Sequence, residues 1–285
     1  MMNTLHTADS GDGSKPFWPG ATTAARLAVV AAAVFQVATP ILPSLGLGRQ
    51  IGEQSSSVQT LITPAGWTFS IWLLLYAGSL AYAVYQALPA QRGNHVLSKV
   101  RWASAGAFIG NGLWALYTQL ADLTFVSVLI IAGSLACLLH IYRHLATERA
   151  LTRGERYVVA LPLSALAAWL TAATIVNIAA TLNYYGVDPA VDKATIGGAI
   201  ILIGGAIAAA AIWRGKGNPW FALVFLWALL GIYGRNGHIA AITATCAVSA
   251  FAVVVVTVFA LRRKESRRLW LGDAASNAMS VQQEG

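Results

Sequence analysis

Residues 63–86 read TPAGWTFSIWLLLYAGSLAYAVYQ, a charge-free apolar run with aromatics crowded near its start. Thr63 offers the side-chain oxygen of an N-cap and Pro64 suits a first helical position, so the sequence predicts a helix beginning here. Two dozen residues at about 1.5 Å each span the roughly 30 Å hydrocarbon layer of a bilayer. Phe69, Trp72 and Tyr76 recur at steps of three and four, which places them on one face with Ser79 and Ala83. Membrane aromatics usually gather at the interface, so an aromatic wall at this depth serves either helix packing or a ligand.

The rest of the chain has the same character. Of its 285 residues, 57% are hydrophobic and 11% charged, and the mean hydropathy is +0.62. Soluble domains carry about 25% charged residues. A chain this apolar is a polytopic membrane protein, and satisfying every backbone N–H and C=O inside lipid leaves only helices or a closed barrel. Long apolar runs without alternation select helices. The expected fold class is all-α, a transmembrane helix bundle of about eight spans near 24–43, 63–88, 102–121, 123–143, 157–183, 194–213, 218–234 and 238–261.

The net charge of +8 is informative through its location. With a cytoplasmic N-terminus, only Arg49, Lys193 and Arg235 of the 19 Lys and Arg residues fall outside, as the positive-inside rule requires. This distribution predicts a multi-pass protein of the cell (inner or plasma) membrane with both termini cytoplasmic. Its positive charge then reflects topology and contact with the lipid bilayer, and no nucleic-acid partner is expected. The basic residues of 262–268 are expected to lie on anionic headgroups. Residues 1–23 are polar and lack a basic n-region, which reads as a disordered cytoplasmic tail and not a signal peptide.

What the spans lack narrows the chemistry. No Asp, Glu, Lys or Arg lies in the core of a span, whereas ion-coupled transporters, retinal proteins and intramembrane hydrolases need such groups there. No catalytic residue is assigned. Cys137 and Cys246 fall inside spans and suggest no disulfide framework. Cys137, His140 and His144 share a helix face, but no carboxylate or fourth ligand accompanies them, so no metal site is assigned either. The deep groups on offer are Trp, Tyr, Phe, Asn, Ser and Thr, a lining suited to a flat apolar ligand with a few hydrogen-bonding atoms. Asn111 sits about 15 Å into its span. An unpaired buried amide costs about 1–3 kcal/mol, so Asn111 needs a partner, either another helix or a ligand. On the same span Gly106 and Gly110 form a small-residue pattern that permits close helix approach. The glycine- and serine-rich loop 44–62 reads either as a lid or as a plain connection.

Pro64, Gly66, Trp67, Phe69, Trp72 and Tyr76 fit the pattern P-x-G-W-x-F-x-x-x-W-x-x-x-Y, which resembles helix 2 of the TspO/MBR family, the tryptophan-rich sensory or translocator proteins. Asn111 and Trp114 look like the family's helix-3 N-x-x-W. Pro162, Trp169, Ala173 and Asn177 are similar to its helix-5 pattern, and the resemblance covers residues 60–185. It implies a five-helix bundle whose pocket binds porphyrins and other hydrophobic small molecules. By resemblance Trp72, Asn111 and Trp169 line that pocket, with Ala173 beside them, Trp67, Phe69 and Trp114 toward the outside, and Tyr76 and Asn177 on the same walls. No cofactor is required; the ligand implied is a tetrapyrrole such as protoporphyrin or haem. The family's cholesterol pattern places a base soon after a tyrosine, but after Tyr185 the next is Lys193, so cholesterol binding is not expected.

Three further helices depart from the family's five. The expected organisation is a tail at 1–23, a TspO-like core at 24–185, added helices at 186–264 and a tail at 265–285. The added helices suit a different ligand path or a homodimer contact. The leading expectation is a sensor or carrier that binds a planar hydrophobe. Export of small lipophilic molecules and porphyrin degradation, with tryptophans as redox participants, stay open as alternatives.

Overall fold

Asn94, Thr124, Asp192 and Asn218 each turn a side-chain oxygen onto the first N–H groups of the helix that follows, and these caps fix where four long helices begin. The computed structural model describes residues 19–51, 59–187 and 191–272. Its helices are α1 (Pro19–Ala38), α2 (Ile71–Ala87), α3 (His95–Leu120), α4 (Phe125–Thr147), α5 (Leu161–Tyr184), α6 (Lys193–Arg214), α7 (Pro219–Asn236), α8 (Ala240–Leu261) and a short α9 (Lys264–Trp270). Each of the first eight overlaps one of the eight expected spans. Among the described residues, six of them are long and apolar enough to cross a membrane. The other two, α3 and α7, carry more polar side chains, with Lys99, Arg101, Asn111 and Gln119 on α3 and Arg235 and Asn236 on α7. Elsewhere leucines and phenylalanines point outward, with Leu73, Leu129 and Phe251 each at least 70% exposed. A surface this apolar belongs in a bilayer, and the protein is a membrane protein.

The helices make a ring and an attached triad. In the ring, α1 packs between α2 and α3, α3 against α4, α4 against α5, and α5 against α2. In the triad, α6 and α7 both pack on α8, and both also reach α5. Thus α5 belongs to both units, and 72% of its most apolar stretch is buried, against 22–39% for the other five apolar spans.

Small residues set the closest approaches. A Cβ on Gly110 of α3 would lie 2.9 Å from the Ser134 Cβ and 3.2 Å from its Cα on α4. The Ser134 hydroxyl crosses the same seam and donates to the Ala107 carbonyl at 2.7 Å. The Gly106 and Gly110 pattern therefore faces α4, as the spacing suggests. On the neighbouring face, a Cβ on Gly112 would stand 2.6 Å from the Phe35 ring of α1.

The start of the second span differs from expectation. Residues 63–65 belong to no helix, with Ala65 extended, Gly66–Ser70 form a 3₁₀ turn, and α2 begins only at Ile71. The Thr63 hydroxyl accepts from the Thr60 N–H at 2.9 Å and so stabilises the preceding turn instead of capping a helix. Ala65 is held extended because its N–H donates to the Gly231 carbonyl of α7 at 2.9 Å. A contact across 166 residues thus overrides the local capping signal.

The chain's ends are only partly described. Residues 1–18 of the expected first tail and 273–285 of the second lie outside the described residues, as do 52–58 of the loop considered as a lid. The described part of that loop is anchored, with the Arg49 N–H on the Gln119 carbonyl at 2.9 Å and its guanidinium paired to Asp122 at 2.7 Å. The second tail begins as packed structure. Arg267 and Arg268 are exposed on α9, while Trp270 is fully buried and its indole N–H donates to the Gly215 carbonyl at 3.0 Å.

Gly110→Ala is expected to lower stability by about 1–3 kcal/mol, because the atoms it meets include α4 backbone. Gly133→Ala, where a Cβ meets nothing within 4 Å, is expected to leave stability unchanged or raise it by up to about 1 kcal/mol. Thermal unfolding in detergent or nanodiscs, read beside the parent protein, checks both.

Candidate functional site

The close contact of α1 and α3 at Gly112 brings two buried amides face to face. Asn111 Nδ2 donates to Gln36 Oε1 at 3.2 Å, and both residues are fully buried. The partner that the deep asparagine requires is therefore a glutamine of α1, a helix whose apolar sequence carried no family motif. The Tyr76 hydroxyl of α2 neighbours the same amide. Tyr76 in turn stacks on Trp72, with ring centroids 5.1 Å apart and planes 25° from parallel.

Trp169 of α5 stands at the centre of the aromatic group. Trp72 and Phe69 each meet it edge-on, at centroid distances of 6.0 Å and interplanar angles of 84° and 85°. Beside it lies a hollow of about 60 Å³. Phe69, Trp114, Trp169, Ala173, Val176 and Asn177 line it from the ring, Ile51 and Pro64 from the loop, and Ala228 and Ile232 from α7. The hollow has room for a few water molecules, well below the roughly 300–1,000 Å³ of a pocket for a drug-sized ligand.

The unpartnered polar atoms of its lining residues share one chemistry. The indole N–H groups of Trp114 and Trp169 and the Asn177 Nδ2 are buried without a protein partner. Asn177 spends its oxygen on the Ser127 hydroxyl of α4, which donates to it at 3.1 Å, so the nitrogen is what remains. All three unpartnered atoms are hydrogen-bond donors. Just behind the wall, the Trp72 Nε1, Asn111 Oδ1 and Gln36 Nε2 are also unpartnered. Buried polar groups without partners are rare in folded proteins, and a cluster of them marks a place where an acceptor-bearing guest would be stabilised.

The nine candidate residues from the sequence therefore separate into three groups. Phe69, Trp114, Trp169, Ala173 and Asn177 line the hollow. Trp72, Tyr76 and Asn111 form a supporting layer, with Trp72 touching the hollow's tryptophan and Asn111 engaged by Gln36. Trp67 lies apart, 48% exposed, with its ring edge-on to Trp227 of α7 at 5.1 Å.

Sequence reasoning did not anticipate α7 as a wall of the site. The Trp227 indole donates to the Thr68 carbonyl at 3.0 Å, and Asn236 Nδ2 donates to the Leu61 carbonyl at 2.9 Å. Gly231 leaves room for the Thr68 side chain, which a Cβ there would meet at 2.3 Å. The glycines at 231 and 234, three apart on α7 and both turned to residues 67–68, were the available signal. No group of three or more His, Cys, Asp or Glu able to hold a metal occurs among the described residues.

Fold and site together define a polytopic helical membrane protein with a small, indole-walled interior hollow. The chain matches the TSPO-like protein family over residues 22–259, and it belongs to that family. The matched stretch includes α6, α7 and α8 as well as the ring. The chain matches no curated protein and no solved structure.

The Gln36–Asn111 amide pair yields a direct prediction. Gln36→Leu leaves Asn111 buried without its partner and is expected to destabilise by about 1–3 kcal/mol. The double variant Gln36→Leu/Asn111→Leu is expected to recover part of that loss. Denaturant or thermal unfolding of the four proteins, read as a double-mutant cycle, checks the coupling.

Proposed function

We infer that the hollow is the binding site of a hydrophobic small molecule with acceptor atoms at one edge, a tetrapyrrole carboxylate being the leading candidate. Membership of the TSPO-like family points to a membrane sensor or carrier role. The observation that carries the ligand reading is the set of three unpartnered N–H donors, from Trp114, Trp169 and Asn177, around an otherwise apolar hollow. Flat apolar rings gain from aromatic walls, and carboxylate or carbonyl oxygens would satisfy the donors.

A tetrapyrrole needs several times the resting volume, so binding on this reading includes a change of shape. The edge-on contacts of Trp169 with Phe69 and Trp72 are the movable part, since each is an aromatic pair worth about 0.5–1.5 kcal/mol beyond its burial. The Gln36–Asn111 bond behind them keeps the supporting layer in place while the rings turn.

Titration with protoporphyrin IX, read as quenching of tryptophan fluorescence in nanodiscs, tests the reading. Saturable quenching is expected, and the double variant Trp114→Phe/Asn177→Leu, which removes two donors and leaves apolar side chains in their place, is expected to weaken the affinity about tenfold or more. Unsaturable quenching, or equal affinity in the double variant, removes the hollow as the ligand site.

A further inference from the structure

Trp169 bounds the hollow at one end, and on the same face of α5 a larger space opens beyond it. Pro162, Ala165, Trp169, Ala173 and Val176 follow one another at steps of three and four, so they form one stripe along the helix. The first two floor a groove of about 540 Å³, and the last three line the hollow of about 60 Å³. Helix α7 runs the same way, with Val224 on the groove and Ala228 and Ile232, at further steps of four, on the hollow. Groove and hollow are thus two lengths of one seam between the second span, α5 and α7. The groove alone is inside the roughly 300–1,000 Å³ of a ligand site.

The groove opens to lipid. Its lips are Leu74 of α2 and Leu223 and Leu230 of α7, all exposed on the apolar surface. Gly78 lets α2 come down onto α5 at the floor, where a Cβ would lie 2.8 Å from the Pro162 Cβ. No charged residue is among the described lining residues. Where α7 begins, Trp220 lines the groove, with its ring 6.0 Å from that of Tyr157. The Trp220 indole N–H is buried without a protein partner, a single donor at this end of an apolar trough.

Two tryptophans stand near the junction of groove and hollow, and they are held differently. The Trp227 indole N–H donates to the Thr68 carbonyl at 3.0 Å, and the Thr68 side chain is seated against Gly231. That ring is fixed. The Trp169 indole N–H has no protein partner, and its ring meets Phe69 and Trp72 edge-on at centroid distances of 6.0 Å. Turning Trp169 breaks no hydrogen bond and joins the two spaces.

We propose that the groove is a bilayer-side site that takes the hollow's hydrophobic guest from the lipid, and that Trp169 is the partition the guest displaces on its way in. The proposal rests on the reading of the hollow as a ligand site. An apolar guest is already concentrated in the bilayer, and an uncharged groove open to lipid receives it without a passage through water. The groove offers an acceptor-bearing edge one unpartnered donor, Trp220, and the hollow offers three. That difference favours movement from the groove to the hollow.

The test follows binding of protoporphyrin IX to the full chain in nanodiscs by stopped flow, read through the porphyrin's own emission against protein-free nanodiscs. Leu223→Trp and, from the opposite wall, Leu74→Trp fill the groove at exposed positions, so the fold is kept. Each is expected to slow association and dissociation alike, about tenfold, with Kd within about twofold of the parent. Leu73→Trp, exposed on the same helix but outside the described lining, is expected to leave both rates unchanged. Trp169→Leu is expected to raise both rates about threefold or more. Unchanged rates in Leu223→Trp and Leu74→Trp leave the groove to bilayer lipid and overturn the proposal. Weakened affinity at an unchanged association rate also overturns it, by making the groove the final site, and so do equal or slower rates in Trp169→Leu. The proposal fails alone if Trp114→Phe/Asn177→Leu loses affinity while the groove variants bind at the parent's rates. Unsaturable binding to the parent, or full affinity in that double variant, overturns the reading of the hollow and the proposal with it.

Discussion

The structure depends on α5 being buried on nearly all sides. In a bilayer a helix gains little by leaving lipid for protein, because acyl chains are as apolar as leucine. Close van der Waals packing and internal hydrogen bonds must supply the difference. Helix α5 meets that condition through alanines on its inner turns and through Ser164, whose hydroxyl accepts from Asn218 Nδ2 at 2.8 Å. Its Asn177 is tied to α4, and its Pro162 lies where a Cβ on Gly78 of α2 would come within 2.8 Å. Ring and triad are consequently two halves around one helix, and the hollow lies where their side chains do not quite fill the space beside Trp169.

That arrangement changes the meaning of the helix-2 motif. Here Ala65, Thr68 and Trp67 are seated on Gly231, Gly234 and Trp227 of α7. The conformation between 63 and 70 is set by those contacts, and so is the position of Phe69 against Trp169. The triad therefore reaches the site directly. It closes one wall of the hollow with Ala228 and Ile232, and it forms one side of the groove that opens to lipid.

Much of this was legible in the residues. Long uncharged runs fixed the helices and their number, since backbone hydrogen bonding inside lipid allows few alternatives. The Gly106–Gly110 spacing foretold a close approach, and the depth of Asn111 foretold a partner. The spacing of Phe69 and Trp72 put both rings on one helix face, and the family resemblance put Trp72 and Trp169 on one pocket. What could not be read depends on contacts between distant segments. The partner of Asn111 is Gln36, a polar residue in an otherwise featureless apolar helix. The delayed start of α2 follows from a hydrogen bond to Gly231, and local capping rules contain no term for it. The small size of the hollow follows from how ring edges interlock, which sequence periodicity does not encode. Asn111 reads as a ligand contact from its motif, yet its nitrogen is engaged by protein, and the donors around the hollow belong instead to Trp114, Trp169 and Asn177.

The account's central claim is that α7 docks on the entry to α2 and so completes the site. Cysteine cross-linking between positions 68 and 231, in a background with Cys137 and Cys246 replaced by alanine, tests it most directly. A Cβ built on Gly231 lies 2.9 Å from the Thr68 Cβ, shorter than the roughly 3.5–4.5 Å of a disulfide, so a small relaxation brings the pair into range. Rapid and near-complete intramolecular cross-linking of Thr68→Cys/Gly231→Cys in native membranes is the predicted result. A pair that stays reduced under oxidant, in protein that remains folded and membrane-inserted, would contradict the account.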